Sequence, residues 1–157
     1  MREGPTPPRA EDQAGFRYYR HTGGSGLASR LSLRVRRRMF ELFLREMKPA
    51  EGTRVLDLGV TSEADHAESN YLERWYEHRH RIVCAGTQDA RDLEARFPGV
   101  RFVRIEPDAP LPFRDREFDV VFSNAVVEHV GDRERQRRFL AEALRVAAAF
   151  FITTPNR

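Results

Sequence analysis

Asp57 and Gly59 lie at the end of an apolar run. There, a carboxylate and a residue without a side chain can both contact the same ligand. Residues 54–59 predict a buried strand that ends in a turn. A carboxylate at such a turn accepts hydrogen bonds from backbone amides or from a cationic amino-acid ligand. A glycine there lets a ligand approach the backbone closely. The pattern predicts a ligand site at the carboxyl end of this strand.

The residues that follow Gly59 disfavour a pyrophosphate ligand. Dinucleotide sites use the spacing Gly-x-Gly-x-x-Gly before a helix N-terminus. Here Val60, Thr61 and Ser62 come next, and Glu63 then places a carboxylate where an anion would lie. The segment therefore favours a cationic ligand over a dinucleotide.

The elements that must position these residues alternate between strands and helices. Strands are predicted over residues 54–59, 81–85, 100–105, 118–123 and 149–154, and helices over 28–48, 69–76, 89–96 and 132–147. This alternation predicts an α/β, Rossmann-like three-layer sandwich with a mostly parallel five-stranded sheet and an N-terminal helical extension.

The first predicted helix combines an apolar face with a run of arginines. Arginines stand at positions 34, 36, 37 and 38 and predict a solvated basic face, because their long stems cover apolar surface while the charged heads stay in water. Nucleic-acid binding is disfavoured, since the net charge is only +3 and no sequence-reading motif accompanies the run. The apolar positions that predict the buried face are Leu31, Val35, Met39, Leu42, Phe43 and Met47.

Length and composition bound the remaining choices. The 157 residues suffice for one domain with a core. We expect residues 1–27 to form a flexible arm and residues 28–157 the folded domain. No apolar segment approaches membrane-spanning length and the first residues lack a signal-peptide pattern, so a cytoplasmic protein without membrane association is expected. Cys84 is the only cysteine, which predicts a buried thiol and no cysteine-based metal site.

Taken together, several segments resemble the class I S-adenosylmethionine (SAM)-dependent methyltransferases, a Rossmann-like family of small-molecule methyltransferases. In order they read VLDLG over residues 55–59, LPF over 111–113 with FDVV over 118–121, SNAVVEHV over 123–130, and FLAEALRV over 139–146 leading to TTPNR over 153–157. The resemblance implies SAM as cofactor and S-adenosylhomocysteine (SAH) as its product. It further implies an oxygen, nitrogen or carbon of a small-molecule acceptor as the methylated atom, in a biosynthetic role.

The same resemblance implies where SAM would lie. Asp57 and Gly59 would line its methionine end, with the loop of Val60 and Thr61 beneath it. Asn124, just past the fourth strand, would lie where the reactive methyl group and the acceptor meet.

The residues for the rest of the cofactor are left as alternatives. Gly86 takes the position where the family places an acidic residue for the ribose hydroxyls, so Gln88 or Asp89 would serve instead. Glu106 and Asp108 are both candidates for the adenine amino group, because counting from the strand and counting back from the following motif give different positions.

Catalysis by such an enzyme needs few groups, because methyl transfer is mainly a matter of alignment. His129 is the candidate general base, since histidine titrates near neutral pH, against the alternative that it packs or caps the following segment. Tyr18 and Tyr19 are candidates to offer a ring face to the sulfonium, against simple packing of the N-terminal segment. No metal site is expected, since the histidine spacings do not match metal ligands.

The sequence departs from the family in two places. Thr61 and Glu63 stand where two further glycines are usual, and a helix and strands six and seven are not present after the fifth strand. The strand over residues 149–154 is then expected to be an exposed edge. Either the chain is a fragment, or a second copy of the chain or a partner protein would cover that edge. These departures support an alternative function, a catalytically idle SAM-fold protein that acts as a binding or scaffolding subunit.

Overall fold

The computed structural model describes residues 26–62 and 69–155. Tyr18, Tyr19 and most of the predicted N-terminal arm lie outside the described residues, as does Glu63. The boundary predicted between residues 27 and 28 stays a prediction. In chain order the elements are α1 (Gly26–Met47), β1 (Val55–Leu58), α2 (Tyr71–Trp75), a first 3-10 turn (Arg79–Arg81), β2 (Ile82–Gly86), α3 (Asp92–Arg96), β3 (Arg101–Arg104), β4 (Phe118–Asn124), a second 3-10 turn (Val127–His129), α4 (Arg133–Val146) and β5 (Ala147–Thr153).

The five strands form one parallel sheet in the order β3-β2-β1-β4-β5. β1 lies at the centre, where Val55 stands opposite Ile82 of β2 and Val120 of β4. Val55, Leu56, Asp57 and Leu58 are all buried, as expected of a strand covered on both faces. The predicted Rossmann-like α/β fold is confirmed.

Two helices are shorter than the sequence predicts, each for a local reason. α2 begins at Tyr71 because Asn70 has a φ of 53°, in the left-handed region that a right-handed helix cannot include. α3 begins at Asp92 because the Asp89 carboxylate accepts a hydrogen bond from the Arg91 amide at 3.2 Å and holds the preceding residues in a turn.

One face of the sheet carries an aromatic core. Phe43 of α1 packs edge-on against Phe122 of β4, with ring centroids 5.3 Å apart, and against Phe151 of β5 at 5.6 Å. Phe122 and Phe151 stack at 5.7 Å. Burial of each such ring contributes roughly 1.5–3 kcal/mol by removing apolar area from water. These contacts hold α1 across the sheet.

The N-terminal half of α1 does not follow the predicted pattern. Leu31 is 63% exposed and Val35 is 43% exposed, so their assignment to the buried face was wrong. The buried positions are Phe40 and Phe43, in the C-terminal half of the helix. The helical period is right, but only the C-terminal half of α1 lies against the sheet and α2 in the described part of the chain.

The opposite face of the sheet is covered by α4 and the turn before β4. Arg145 of α4 contacts this turn directly. It donates hydrogen bonds to the carbonyl oxygens of Leu111 (2.9 Å) and Phe113 (2.8 Å). It also forms ion pairs with Glu142 (2.8 Å) and Asp115 (2.9 Å). The segment from residue 111 to 117 is thereby held against α4. This positions the start of β4, and with it the residues at its far end.

β5 pairs only with β4 among the described strands, which leaves its other side as a sheet edge. Phe150 is 45% exposed on this strand. The expectation of an exposed apolar edge is therefore met in the part of the chain that the structure describes. Within the same part, no helix is long and apolar enough to cross a membrane.

We expect Gly59→Ala to lower the free energy of unfolding by about 2–4 kcal/mol, through overpacking and left-handed strain. Gly59 has a φ of +102°, and a Cβ built there would overlap Cγ2 of Val126. Urea denaturation measures the change. Gly52→Ala is the control, because no atom lies within 4 Å of a Cβ at that position. Adding Val126→Ala should restore part of the loss, and a full loss in the double variant would contradict this account of the turn.

Candidate functional site

The strand order creates a crevice between the carboxyl ends of β1 and β4. The chain leaves β1 toward β2 on one side, whereas it leaves β4 toward β5 on the other. Ligands of open α/β sheets bind at such a switch point, outside the carboxyl ends of the strands. Gly59 follows β1 here and Asn124 ends β4, so the structure brings these two predicted site residues together.

Asp57 lies beneath this crevice and faces a second acid that the sequence did not suggest. Asp57 is only 7% exposed, and it lies beside Glu73 of α2, which is 0% exposed. Cys84 of β2 donates its thiol hydrogen to Oε1 of Glu73 at 3.0 Å. Oε2 of Glu73 has no hydrogen-bond partner among the described residues. Two carboxyl groups therefore lie side by side in a buried cluster.

Burial controls the chemistry of this cluster. It raises the pKa of Asp57 well above its usual value, first because the carboxylate loses hydration and then because the charge and hydrogen bond of Glu73 oppose its ionisation. The pKa of the Cys84 thiol is raised for the same two reasons, desolvation first and the nearby Glu73 carboxylate second. The predicted buried thiol is confirmed. Asp57 therefore holds a proton more tightly than an ordinary carboxyl group.

Asn124 is held by donors from three other elements. Its Oδ1 accepts hydrogen bonds from Nη1 of Arg36 in α1 (3.0 Å), from the hydroxyl of Tyr71 in α2 (3.3 Å) and from the hydroxyl of Thr153 in β5 (2.8 Å). The Arg36 guanidinium also lies over the Tyr71 ring, 5.7 Å from its centroid. Arg36 was assigned to a solvated basic face, and that assignment was wrong, because the residue is half-buried at the crevice.

The loop after β1 uses its own amides internally. Gly59 N–H and Val60 N–H both donate to the carbonyl of Ala85, at 2.7 and 3.2 Å. The space beside Gly59 is filled by Val126, so loop packing requires a glycine at this position. Val60 is buried in the core, and the carbonyl of Thr61 accepts a hydrogen bond from the Asn70 side chain at 3.0 Å.

Gly86 shows why the usual acidic residue is missing at the end of β2. A Cβ at this position would stand 2.5 Å from the carbonyl oxygen of Val60. The first loop therefore crosses closer to β2 than a side chain would allow. The position requires glycine for packing, and any acidic contact must come from further along the chain.

Of the two residues predicted to contact the ribose hydroxyls, Asp89 is already hydrogen-bonded to another side chain. Its carboxylate accepts hydrogen bonds from the Arg91 guanidinium at 2.5 and 2.9 Å, and these bonds lower its pKa to about 2. Together with Phe102 and Arg104, these two side chains line an open depression of about 290 Å³. Gln88 is exposed beside it. Asp89 would have to exchange Arg91 for a ligand hydroxyl.

The adenine candidates lie past the end of β3, in an exposed turn. Asp108 has a φ of 63° and pairs with Arg135 (3.4 Å) and Arg138 (3.8 Å) of α4. Glu106 is exposed. Asp108 is therefore directed toward α4, whereas Glu106 is the less engaged of the two.

His129 and its neighbour Glu128 lie in the second 3-10 turn, next to the crevice. The His129 side chain is 57% exposed, with Nε2 4.0 Å from Oε1 of Glu128. Both oxygens of Glu128 are buried and have no hydrogen-bond partner among the described residues. A buried carboxylate without donors is costly unless a cation or donor meets it. Glu128 is the functional candidate that sequence reasoning passed over.

No group of three His, Cys, Asp or Glu side chains within residues 26–62 and 69–155 is arranged to hold a metal ion.

The sequence matches the model of the methyltransferase domain family over residues 67–149. The match spans more than half of the chain, so the chain belongs to this family. It confirms the resemblance to SAM-dependent methyltransferases and, with it, the class of enzyme and SAM as the cofactor of that class. None of the curated proteins matches the sequence.

Solved structures share the fold at low sequence identity. A SAM-dependent methyltransferase from Aquifex aeolicus is 23% identical, with a TM-score of 0.54, over 74% of this chain and 65% of its own. A TehB-like SAM-dependent methyltransferase from Corynebacterium glutamicum is 17% identical, with a TM-score of 0.53, over 82% and 73%. A methyltransferase bound to the Trm112 activator from Haloferax volcanii is 19% identical, with a TM-score of 0.57, over 81% and 56%. The chain thus spans less than two-thirds of the A. aeolicus structure.

The described residues fit the cationic end of SAM, which carries a sulfonium and an ammonium group. Carboxyl groups meet the crevice from two sides, namely the Asp57–Glu73 pair below β1 and the unpartnered Glu128 carboxylate after β4. The chemistry of this set favours a cation. The fit is weaker at the first loop, where the amides of Gly59 and Val60 already have acceptors.

Asp57 predicts a distinct pH dependence of stability. A raised folded-state pKa stabilises the fold fully below the unfolded pKa of about 3.9, and this stabilisation is lost as the pH rises through the folded value. Between the two values each pH unit costs up to about 1.4 kcal/mol. Asp57→Asn removes the titration, so its stability relative to the native chain should rise from pH 5 to pH 8 in urea denaturation.

Asp89→Asn is the matched control for that series. The pKa of Asp89 is about 2 and lies below the range studied, so its curve should run parallel to that of the native chain. Parallel curves for Asp57→Asn and the native chain would contradict the buried proton.

Proposed function

We infer that this chain binds SAM at the β1/β4 crevice and transfers its methyl group to an oxygen, nitrogen or carbon of a small-molecule acceptor. The observation that carries the proposal is the set of buried carboxyl groups around that crevice, above all Glu128, whose two oxygens have no hydrogen-bond partner among the described residues. Membership in the methyltransferase domain family supports it. Cytoplasmic biosynthesis is the setting that the family resemblance favours.

Each part of the cofactor has proposed contacts. The Asp57–Glu73 pair and Glu128 supply negative charge for the sulfonium and ammonium end. The loop of Gly59, Val60 and Thr61 forms the floor below that end.

The remaining cofactor contacts lie along the carboxyl ends of β2 and β3. Gln88 or Asp89 faces the ribose, with Asp89 released from Arg91. Glu106 or Asp108 meets the adenine amino group. These assignments rest on the position of each residue after its strand.

When bound, SAM supplies an electrophilic methyl group, and this chain's residues align and shield the acceptor. Asn124, rigidly held by three donors, directs its amide group toward the acceptor side. His129 is exposed beside the crevice and accepts a proton from an acceptor whose nucleophile is protonated. Tyr18 and Tyr19 remain candidates to close over the sulfonium.

A catalytically idle binding or scaffolding subunit is the second candidate. It is favoured by the first loop, whose Gly59 and Val60 amides are already bonded to Ala85. The open β5 edge, with Phe150 exposed, suits coverage by a partner protein or a second copy of the chain. The H. volcanii relative is bound to an activator protein, which supports the partner arrangement over the homodimer.

Calorimetric titration with SAM and SAH separates the two candidates. Saturable one-site binding is expected for the native chain, and Asp57→Ala should weaken it by about a hundredfold or more, because it removes a buried hydrogen-bonding group from beneath the crevice and leaves a cavity beside Glu73. Asp92→Asn is the control, since Asp92 is exposed on α3 and pairs only with Arg96 in the described residues. Absence of binding in the native chain would support the idle subunit, and normal binding by Asp57→Ala would overturn the role of Asp57.

A further inference from the structure

Arg36 brings a positive charge to a crevice that is otherwise lined with acids. It reaches from α1 to the end of β4, where its Nη1 donates to Asn124 at 3.0 Å. Among the described residues this is its one hydrogen bond, and it forms no ion pair. The neighbouring Arg37, by contrast, pairs with Glu41 at 3.3 Å. A guanidinium has five N–H donors, so Arg36 keeps several for a ligand.

The contacts of Asn124 fix the orientation of its amide. Oxygen and nitrogen of an asparagine side chain are assigned from the hydrogen-bond network. Because Arg36 can only donate, the atom that it meets must be the oxygen. Tyr71 and Thr153 bond to the same oxygen. The Nδ2 group of Asn124 is therefore turned away from these three residues and donates to no described residue.

Arg36 and Asn124 together present N–H donors with a net positive charge. Arg36 is half-buried against the Tyr71 ring, which restricts its motion and reduces its contact with water. A partly desolvated guanidinium beside an amide N–H₂ is complementary to a carboxylate, which can accept from both. A neutral or cationic group would leave the charge without a counter-ion.

The position within the crevice separates Arg36 and Asn124 from the Asp57–Glu73 pair. Asn124 is tied to Thr153, so Arg36 and Asn124 lie on the β4/β5 side. The Asp57–Glu73 pair lies on the β1/β2 side, where Cys84 of β2 contacts Glu73. The side with the Asp57–Glu73 pair suits the cationic end of the cofactor, whereas Arg36 and Asn124 offer N–H donors to the other reactant.

We propose that Arg36 and Asn124 form an anchoring subsite for a carboxylate on the methyl acceptor. The proposal rests on the function proposed above and narrows the acceptor to a carboxylic acid. Arg36 and Asn124 hold the carboxylate while the nucleophilic atom of the same molecule meets the methyl group. Tyr71 acts as a positioning residue through its ring contact with Arg36 and its bond to Asn124.

Benzoate is the probe, with methyl benzoate as its uncharged counterpart, titrated into the chain saturated with SAH. We expect saturable benzoate binding and at least about tenfold weaker binding of the ester, as for the loss of a charge-assisted hydrogen bond. Saturation with SAH is established first by calorimetry. A chain that does not bind SAH fails at that step, and the proposed function then fails independently of the subsite.

Three variants isolate the subsite. Arg36→Met should weaken benzoate binding about tenfold or more while SAH binding is unchanged. Asn124→Asp keeps an oxygen for Arg36, Tyr71 and Thr153 but replaces the N–H₂ donor with negative charge, so it should abolish benzoate binding with the fold intact. Arg37→Met is the matched control, because Arg37 lies over the Trp75 ring at 5.4 Å in the same way but does not reach the sheet. It should bind benzoate as the native chain does.

Three results would overturn the proposal. The first is equal binding of benzoate and its ester, or no benzoate binding by the SAH-bound chain. The second is benzoate binding that Asn124→Asp leaves unchanged. The third is competition between benzoate and SAH in the ligand-free chain, together with weaker SAH binding by Arg36→Met. That result would assign the subsite to the carboxylate of the cofactor and not to the acceptor.

Discussion

The parallel pairing of β1 with β4 is the constraint on which the candidate site depends. Its register sets Val55 opposite Val120 and Asp57 opposite Phe122, so that the two strands end side by side. Each strand contributes part of the site: β1 provides the buried acid Asp57 and the turn that follows it, and β4 provides the side-chain amide of Asn124. The hydroxyl of Ser123 donates to the carbonyl of Leu58 at 2.8 Å and strengthens the junction between the strand ends. α1, α2 and β5 then converge on this junction.

Sequence patterns predicted most of the fold because parallel strands buried on both faces are continuous apolar runs, and β1 and β4 are of this kind. The site was predicted less completely. Asp57 lies within β1 and Asn124 ends β4. Glu73 and Arg36, by contrast, come from helices whose docking angle sequence periodicity does not encode. Periodicity states which residues share a helix face, but not which part of that helix meets the sheet. Leu31 and Val35 were misassigned for the same reason.

Packing between loops explains why glycines stand at the ends of β1 and β2. Gly59 makes room for Val126, and Gly86 makes room for the carbonyl of Val60. At the switch point, each glycine allows another part of the protein to approach its backbone closely, because it has no Cβ. The loop path is thus set by contacts within the protein, and Thr61 lies in a loop anchored by Asn70. Gly59 keeps the position that the resemblance assigns to it, and packing at that position also requires a glycine.

The reactivity of the Cys84 thiol provides a chemical probe of the buried acid cluster. A buried thiol with a raised pKa holds little thiolate, and thiolate is the form that alkylating reagents attack. Alkylation of Cys84 therefore requires β2 and α2 to separate. Because Glu73 accepts the thiol hydrogen at 3.0 Å, the same separation exposes the acid pair to water. The rate of alkylation at this single cysteine thus reports how often the floor of the crevice opens.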